Sequence, residues 1–383
     1  MRILKRSEKI MGSSITNNYP QGQITHLEVE QATIFQPGSD QDWTYSHHQH
    51  VVFYRGKLYA IWSNGRVNED DTGQRVMMST SADFHHWSAP LPLLDSQDGE
   101  YGEWVYTAAG FHVHGEKLIA YIGQYEYKPE HLSDGVRNSK TDAGHIRTGL
   151  LAMATEDGEH WSEPVDLGLR IVPNHGPQRT SSGRLIISGN ISYPYTEDPE
   201  GLSGWRATGI YAAELESEMV DDSEYIHVLP PKMGWPTMLC EGSFYQTDDG
   251  RLNMLLRSKE RRLWLTTSDD DGASWSAPEP TLFPDSNTKF HFGRLPDGRF
   301  YYVGSPVPDG RRNPLVLSVS SDGISFDRHT VLCDAPCERK FEGMHKGGDY
   351  GYPHSMIHDG WLYVIFSVTK EQVHIVRVPI AAV

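Results

Sequence analysis

Several side chains that can move protons lie at equivalent distances before repeated glycines. Four lie six or eight residues before such a glycine, two near each end of the chain: His48, His50, Tyr352 and His354. His175 has the same place in the middle of the sequence. Imidazole gains and loses a proton near neutral pH, which suits general acid–base chemistry. We take His48 as the candidate catalytic base or acid, with His175 or Tyr352 as its counterpart, although each also fits a structural role.

A metal site is an alternative use of two of these histidines. His50 and His354 could share a divalent metal in a central channel, because neutral imidazole is a common metal ligand. The spacing dictates no third ligand, and the sequence requires no cofactor. His354 is equally a candidate for binding substrate.

Arginines form a second group, which suits an acidic ligand. Each lies near the second strand of a repeated unit, so several are expected to converge: Arg66, Arg147, Arg206 and Arg257. Asn64, beside Arg66 in sequence, is a further candidate for binding substrate. A planar guanidinium pairs with a carboxylate through two hydrogen bonds, so we expect a uronate- or sialate-containing oligosaccharide as partner. Any one of these arginines also fits a solvated surface position.

A sixfold repeat defines the elements that must position these residues. Its unit is an apolar strand, a polar turn with glycine and a second apolar strand, and the glycines are Gly56, Gly115, Gly183, Gly250, Gly298 and Gly360. Their mean spacing of about 61 residues is close to that of a four-stranded propeller blade. The sequence therefore predicts an all-β chain folded as a single β-propeller. Alternate side chains share a strand face, so His48 is expected beside His50, and Tyr352 beside His354.

Four turns of the Asp-box type follow these hairpins, where the outer hairpin of a blade is expected. Ser268 to Trp275 fits the full pattern S-x-D-x-G-x-x-W, in which the aspartate closes a tight turn and the tryptophan packs between blades. Three related turns are one residue shorter: Ser81 to Trp87, Thr155 to Trp161 and Ser320 to Phe326. We interpret all four as structural, because they identify a fold and carry no chemistry.

Composition narrows the partners and the location. The 383 residues carry a formal net charge of −17, which would repel nucleic acid and anionic membranes. No apolar run reaches membrane-spanning length, and the basic residues 1–9 are not followed by the apolar stretch of a signal peptide. Three cysteines form neither a disulfide framework nor a four-ligand zinc site. We therefore expect a cytoplasmic protein, with a flexible segment over residues 1–23 and a propeller domain over 24–383.

Two families share motifs with the sequence. The Asp boxes resemble those of the sialidases, and Arg257 lies where sialidases often place an arginine of their carboxylate-binding triad. The sialidase Arg-Ile-Pro signature is absent, and the sequence offers no Tyr/Glu nucleophile pair. The first and last units are more similar to the propeller polysaccharide lyases, namely the L-rhamnose-α-1,4-D-glucuronate lyases and, more distantly, the ulvan lyases. That similarity lies in Tyr45 to His50, Leu58 to Arg66, Glu69 to Asp71 and Tyr350 to Ser355.

The resemblance to the lyases implies a seven-bladed propeller, although six units are visible. A seventh blade would form if the strand around Ile24 to Phe35 joined that of Val373 to Ile380 with an unrecognised hairpin. The resemblance also implies that histidine or tyrosine acts as base and acid, and that arginine neutralises the uronate carboxylate.

The expected function is an exo-acting lyase that cleaves a rhamnose-(1→4)-glucuronate linkage by β-elimination. The C5 proton is removed, the C4 oxygen leaves, and Arg257 and Arg66 stabilise the developing enediolate. One alternative is a sialidase-like glycoside hydrolase, with Glu241 and Glu103 as the available carboxyl groups. Another is a propeller that binds an acidic glycan without turnover.

Overall fold

The structure, a computed structural model, describes residues 15–138, 145–210 and 237–383. Regular structure in these ranges is β, apart from two short 3-10 helices, Pro129–His131 and Ile380–Ala382. None of the helices in these ranges has the length and apolar character needed to cross a membrane. The predicted all-β propeller is confirmed, and the cytoplasmic location stays a prediction.

Six sheets surround a central axis, and we number them as blades 1 to 6 in chain order. From the axis outward, blade 1 consists of Tyr45–Tyr54, Lys57–Gly65, Arg75–Ser81 and Leu91–Leu94. Blade 2 consists of Val105–His114, Lys117–Tyr127, His145–Thr155 and Val165–Asp166. Neighbouring strands in both blades are antiparallel. A small hairpin of Leu132–Ser133 and Val136–Arg137 extends from blade 2.

Blades 3 and 4 lie on either side of residues 211–236, which are outside the described residues. Blade 3 has three short strands: Gln178–Arg179, Leu185–Ile186 and Tyr195–Thr196. Blade 4 has four: Leu239–Gln246, Leu252–Ser258, Arg262–Ser268 and Glu279–Pro284. Thr16–Asn17 joins the outer edge of blade 4 and also pairs in parallel with Ser325–Phe326.

Blades 5 and 6 take up the N-terminal strands. Blade 5 consists of His291–Arg294, Phe300–Gly304, Leu315–Ser320, Arg328–Cys333 and the parallel edge strand Gln23–His26. Blade 6 consists of Tyr350–His358, Trp361–Val368, Gln372–Pro379 and Glu30–Phe35. The predicted pairing of the two chain ends is confirmed, but it completes blade 6 instead of adding a blade.

Hydrophobic packing between neighbouring blades closes the propeller with six blades in the described ranges. Each of the six gaps between neighbouring blades in the described ranges is filled by a hydrophobic cluster, and the gap between blades 1 and 2 holds a second, smaller one. Trp62, for example, is fully buried between blades 6 and 1, a burial that stabilises by a few kcal/mol. Within the described ranges, five of these sheets have four or more strands and blade 3 has three, so the seven blades expected from the resemblance are not confirmed.

The predicted boundary at residue 24 moves toward the N-terminus. Thr16–Asn17 pairs with blade 4, and Gln23 pairs with Arg328 of blade 5, so residues 15–23 belong to the propeller. Residues 1–14 of the predicted flexible segment lie outside the described residues.

The hairpin glycines and the Asp boxes, the two sequence signals of the repeat, lie in the turns where they were predicted. All six hairpin glycines connect the first and second strands of a blade, with φ between +56° and +96°, a conformation that glycine adopts without steric cost. The Asp boxes connect the third and fourth strands. In the full box, Oδ1 of Asp270 accepts a hydrogen bond from the Ser274 amide at 2.8 Å, and Trp275 packs against the cluster between blades 3 and 4.

Gly110 lies where blades 2 and 3 approach each other closely at the axis. It has φ +109°, and a Cβ there would lie 2.4 Å from the Gly176 amide nitrogen and 3.2 Å from Nδ1 of His50. Since Gly176 is backbone, it cannot move aside cheaply. We expect Gly110→Ala to lower the free energy of unfolding by about 3 kcal/mol or more in urea denaturation.

Gly250→Ala is the matched control for this substitution. Gly250 also has a left-handed φ, +91°, but nothing lies within 4 Å of the added Cβ. It should therefore show the backbone strain alone, about 1–2 kcal/mol. Equal losses in the two variants would contradict the close contact at the axis.

Candidate active site

Bulges in the innermost strands bring three distant residues to one end of the axis. Strand pairing shifts register between His47 and His50 in blade 1, between Cys240 and Ser243 in blade 4, and between Gly351 and His354 in blade 6. Within these bulges the backbone turns left-handed at three non-glycine residues, with φ +54°, +52° and +52°: His48, Glu241 and Tyr352. A bulge re-aims the side chain that it carries, and such strain gathers at functional sites.

These bulges also break the alternation on which the sequence prediction relied. His48 and Tyr352 line the cavity, whereas His50 and His354 are absent from its lining and pack against each other with ring centroids 4.8 Å apart. The expectation that each pair shares one face is therefore wrong, because each bulge inserts an extra residue into the period of two.

The cavity at this end of the axis has a volume of about 370 Å³. It is lined by ionisable side chains from blades 1, 4, 5 and 6 and their loops, among them His48, Glu69, Asp70, Glu241, Arg257, Arg312, Tyr352 and Lys370. Both signs of charge are thus present in a small concave space, as expected of a site for a small polar ligand.

Three of these side chains form one hydrogen-bonded cluster. The Tyr352 hydroxyl donates to one carboxylate oxygen of Glu241. Nη1 of Arg257 donates to the other carboxylate oxygen at 2.7 Å and to the Tyr352 oxygen at 3.0 Å. Nε of Arg257 donates to Asn287 at 2.8 Å, which fixes the plane of the guanidinium. The structure therefore brings together a Tyr/Glu pair, Tyr352 and Glu241, that the sequence alone did not reveal.

The charges in this cluster follow from burial and from each other. Burial and the Glu241 carboxylate raise the pKa of Tyr352 well above its usual value, so its hydroxyl is protonated at rest. Burial opposes ionisation of Glu241, but the Arg257 guanidinium outweighs it and lowers the pKa of this carboxyl. Glu241 is thus an ionised carboxylate that accepts the hydrogen bond of the Tyr352 hydroxyl. This is the arrangement of a general base beside a nucleophile that it can activate.

A second ion pair borders the cavity. Lys370 donates to one carboxylate oxygen of Glu69, and the Tyr45 hydroxyl donates to the other at 3.2 Å. Burial would raise the pKa of Glu69, but the Lys370 ammonium lowers it to about 2. Glu69 therefore stays ionised at neutral pH and holds no proton to give.

His48 lies at the cavity wall beside Tyr352. The two ring centroids are 5.2 Å apart, and Nδ1 of His48 lies 3.2 Å from the Ser63 hydroxyl. Burial lowers the pKa of His48 to about 4, so the imidazole is neutral at pH 7. In that state it can accept a proton from a substrate.

The other predicted substrate-binding residues do not line this cavity. Arg66 makes a two-pronged ion pair with Glu103 at 2.7 and 2.9 Å, and Arg147 pairs with Glu100 and Glu126 at 3.0 and 3.1 Å. Arg206 is exposed on blade 3. The Asn64 amide donates to the Tyr45 carbonyl at 2.9 Å, a structural role. Of the four predicted arginines, only Arg257 lines the cavity.

The remaining predicted histidines, His50, His175 and His354, meet His291 farther along the axis. The four imidazoles form a ring, with centroid separations of 4.8 Å (His50–His354), 4.7 Å (His354–His291), 5.2 Å (His291–His175) and 6.4 Å (His175–His50). His175 is therefore not placed to act with His48 on one substrate. The predicted His50–His354 metal pair is close in space, but the Val51 amide donates to Nδ1 of His354 at 3.4 Å.

One other group in the described ranges has the spacing of a metal site. Ligand atoms of His47, His48 and Glu69 lie within 4.8 Å of one another. However, Lys370 already neutralises Glu69, and Nδ1 of His47 lies 2.7 Å from the Ser367 hydroxyl. A cation would have to displace the Lys370 ammonium, so these residues fit a metal poorly.

Comparison with known proteins adds the family. The model of the BNR repeat-like domain matches residues 56–364. The chain belongs to this family. Its repeats are thus confirmed as the sialidase-type repeats that the Asp boxes indicated.

Solved structures similar to this BNR repeat-like protein include sialidases. A protein of unknown function from Dyadobacter fermentans is 15% identical with TM-score 0.62, covering 92% of this chain and 98% of that one. A sialidase is 18% identical with TM-score 0.64, and the match covers 94% of this chain and 35% of the sialidase. The K499G mutant of NanB sialidase from Streptococcus pneumoniae is 14% identical with TM-score 0.63, and the match covers 91% of this chain and 70% of the NanB chain.

At these identities the likeness shows the fold alone. No curated protein sequence matches the chain. The resemblance to the rhamnose–glucuronate lyases stays a prediction.

Sequence reasoning about this BNR repeat-like protein missed four cavity residues. Asp70 and Glu69 were noted only as part of a resemblance, and Arg312 and Lys370 were not singled out. Arg312 follows the second strand of blade 5 and lies with its guanidinium carbon 5.6 Å from the centre of the Tyr352 ring. The signal that could have found it is its place between the second and third strands of blade 5, since Arg257 lies near the end of the second strand of blade 4.

Proposed function

We propose that this protein is a retaining glycoside hydrolase that acts on a sugar bearing a carboxylate, with Tyr352 as nucleophile. The observation that carries the proposal is the Tyr352 hydroxyl, which is bonded to both Glu241 and Arg257 inside the cavity. A nucleophile is recognised by a base within hydrogen-bond reach and a third group that orients the base. Tyrosine is the nucleophile of sialidases among the glycosidases, and sialidases share this fold.

In the first step the Tyr352 oxygen attacks the anomeric carbon, and its proton passes to Glu241. The bond from the anomeric carbon to the leaving oxygen breaks, and that oxygen takes a proton from an acid. We assign the acid to Asp70, whose side chain lines the cavity. Its neighbour Glu69 is unsuited, because Lys370 holds it ionised.

In the second step a water molecule attacks the anomeric carbon of the tyrosyl intermediate. The Asp70 carboxylate takes the proton of the water, the bond to the Tyr352 oxygen breaks, and Glu241 returns its proton to the phenolate. The sugar leaves with its anomeric configuration retained, since two displacements have occurred.

Two guanidinium groups favour an acidic sugar. Arg257 and Arg312 both line the cavity, and Nη1 of Arg312 is buried without a hydrogen-bond partner among the described residues. A buried donor that lacks a partner is costly unless a ligand supplies the acceptor. A carboxylate accepts two parallel bonds from such a group, which a neutral sugar cannot do as well.

The proposal is tested with fluorogenic 4-methylumbelliferyl glycosides of sialic acid, glucuronic acid, galacturonic acid and their neutral counterparts. We expect turnover of at least one acidic glycoside and a preference for it over the neutral sugar of the same ring by about 100-fold or more. Equal rates on acidic and neutral glycosides would contradict the role of the two arginines. Saturable binding of an acidic sugar with no turnover would place the chain among non-catalytic glycan-binding propellers.

A second candidate is the β-elimination predicted from the sequence. The observation that favours it is the neutral His48 imidazole beside Tyr352, because a base and a phenolic acid on one cavity wall suit removal of the C5 proton and protonation of the C4 oxygen. A rhamnosyl-glucuronate oligosaccharide separates the two. Elimination gives ultraviolet absorbance of an unsaturated uronate, whereas hydrolysis gives new reducing ends without it.

A further inference from the structure

A ring of His50, His175, His291 and His354 lies on the axis, and Lys289 lies next to it. The Lys289 ammonium acts electrostatically on all four imidazoles. The side chain of Lys289 is fully buried, and its ammonium nitrogen has no hydrogen-bond partner among the described residues. Both ring nitrogens of His50 are likewise buried without a partner.

Two of these imidazoles have hydrogen-bond partners. Nδ1 of His291 lies 3.2 Å from the Ser355 amide and 2.6 Å from the Ser355 hydroxyl, and the Val51 amide donates to Nδ1 of His354 at 3.4 Å. His50 has no such partner among the described residues, and burial lowers its pKa well below the usual value, so its ring is neutral. A neutral imidazole carries one N–H group, so His50 offers a donor that lacks an acceptor.

An ammonium group and an imidazole N–H group thus lie close together without acceptors among the described residues, and the carboxylate that acts on Lys289 is Glu241 in the neighbouring cavity. A buried cation without an ion partner loses its proton or binds an anion. Burial lowers the pKa of Lys289 to about 7 against the opposing effect of Glu241, which leaves the charge of Lys289 dependent on what lies beside it.

We propose that the imidazole ring and Lys289 form a binding site for a small monovalent anion of halide size. The anion supplies the acceptor that the His50 N–H group and the Lys289 ammonium lack among the described residues. A single negative charge matches the single lysine. Gly110 leaves this side of His50 open, since an added Cβ would lie 3.2 Å from Nδ1 of His50.

The anion site also lies directly behind the proposed nucleophile. The Lys289 nitrogen is 5.9 Å from the centre of the Tyr352 ring. A bound anion therefore keeps a positive charge beneath the phenol that must lose its proton. This site is independent of the substrate, so it can be tested by stability and diffraction without any activity.

The first experiment measures thermal unfolding of the full chain in sodium bromide, sodium chloride and sodium gluconate at equal ionic strength. We expect bromide and chloride to raise Tm over gluconate, by roughly 3 °C at a hundredfold excess over Kd. Lys289→Met should remove the difference between the salts. The control Lys346→Met replaces another buried lysine, which pairs with Glu371 away from the axis at 3.8 Å, and should keep the difference.

The second experiment needs no variant. Crystals soaked in sodium bromide should show an anomalous peak on the axis, within hydrogen-bond reach of Lys289 and His50. Equal Tm in all three salts together with no bromide peak would overturn the proposal. So would stabilisation by zinc chloride over sodium chloride at equal chloride that persists in Lys289→Met, because that result would indicate a metal site.

Discussion

Tyr352→Phe is expected to reduce kcat on the best acidic glycoside by about 10³-fold or more. The substitution removes the oxygen that attacks the anomeric carbon and leaves the ring in place. Glu241 keeps its ion pair with Arg257 at 2.7 Å, so the loss of stability should stay within about 3 kcal/mol. The measurement is initial rates over a range of substrate concentrations, with circular dichroism to confirm folding.

Tyr350→Phe is the matched control, two residues earlier on the same strand. Its hydroxyl donates to the Ala335 carbonyl at 2.7 Å and does not line the cavity. It should leave kcat within a factor of about two. A Tyr352→Phe variant that retains more than a tenth of the wild-type kcat would rule out this residue as nucleophile.

Hydrolysis and elimination both lose rate when Tyr352 is replaced, so a covalent label is needed to separate them. A fluorinated glycosyl fluoride of the preferred acidic sugar slows the second step of hydrolysis and should accumulate the tyrosyl intermediate. Mass spectrometry should then find the sugar on the peptide that contains Tyr352. Elimination forms no bond to the enzyme, and an unlabelled but inhibited enzyme would favour that mechanism.

The fold could be predicted in detail because its signals are local. A hairpin glycine with left-handed φ and an Asp box each constrain only a few neighbouring residues, and both occur in register along the chain. The number of blades was visible as six hairpins. The seventh blade implied by the resemblance to the lyases is not confirmed, and the strand Glu30–Phe35 completes blade 6.

The site could be predicted only in part, because it depends on bulges and on contacts between blades. Glu241 and Tyr352 are 111 residues apart in sequence and meet through bulges in blades 4 and 6. Strand alternation gives no sign of a bulge, so the residues at the centre were paired with the wrong neighbours. Arginines near a second strand look alike in sequence, yet only Arg257 pairs with a carboxylate of the cavity, Glu241. Arg66 pairs with Glu103, and Arg147 pairs with Glu100 and Glu126, all outside the cavity lining.

Arg257→Leu is expected to lower the free energy of unfolding by about 3–5 kcal/mol, measured by urea denaturation. The side chains of Arg257 and Glu241 are 16% and 8% exposed, so the substitution strands a carboxylate away from water. Arg66→Leu breaks an ion pair of similar length, 2.7 Å, but its partners are 46% and 31% exposed. That control should lose no more than about 1 kcal/mol, because solvent screens the pair.

Arg257→Leu should also abolish turnover, because it changes the protonation state of the base, Glu241. Without the guanidinium, burial is left to raise the pKa of Glu241, and a protonated Glu241 cannot accept the phenol proton. Arg257→Lys separates charge from geometry: it keeps the cation near Glu241 but not the guanidinium that contacts Glu241, Tyr352 and Asn287 together. We expect it to recover part of the stability and little of the activity. Full activity in Arg257→Lys would mean that charge alone serves the nucleophile, and full stability in Arg257→Leu would mean that Glu241 is not buried as an ion.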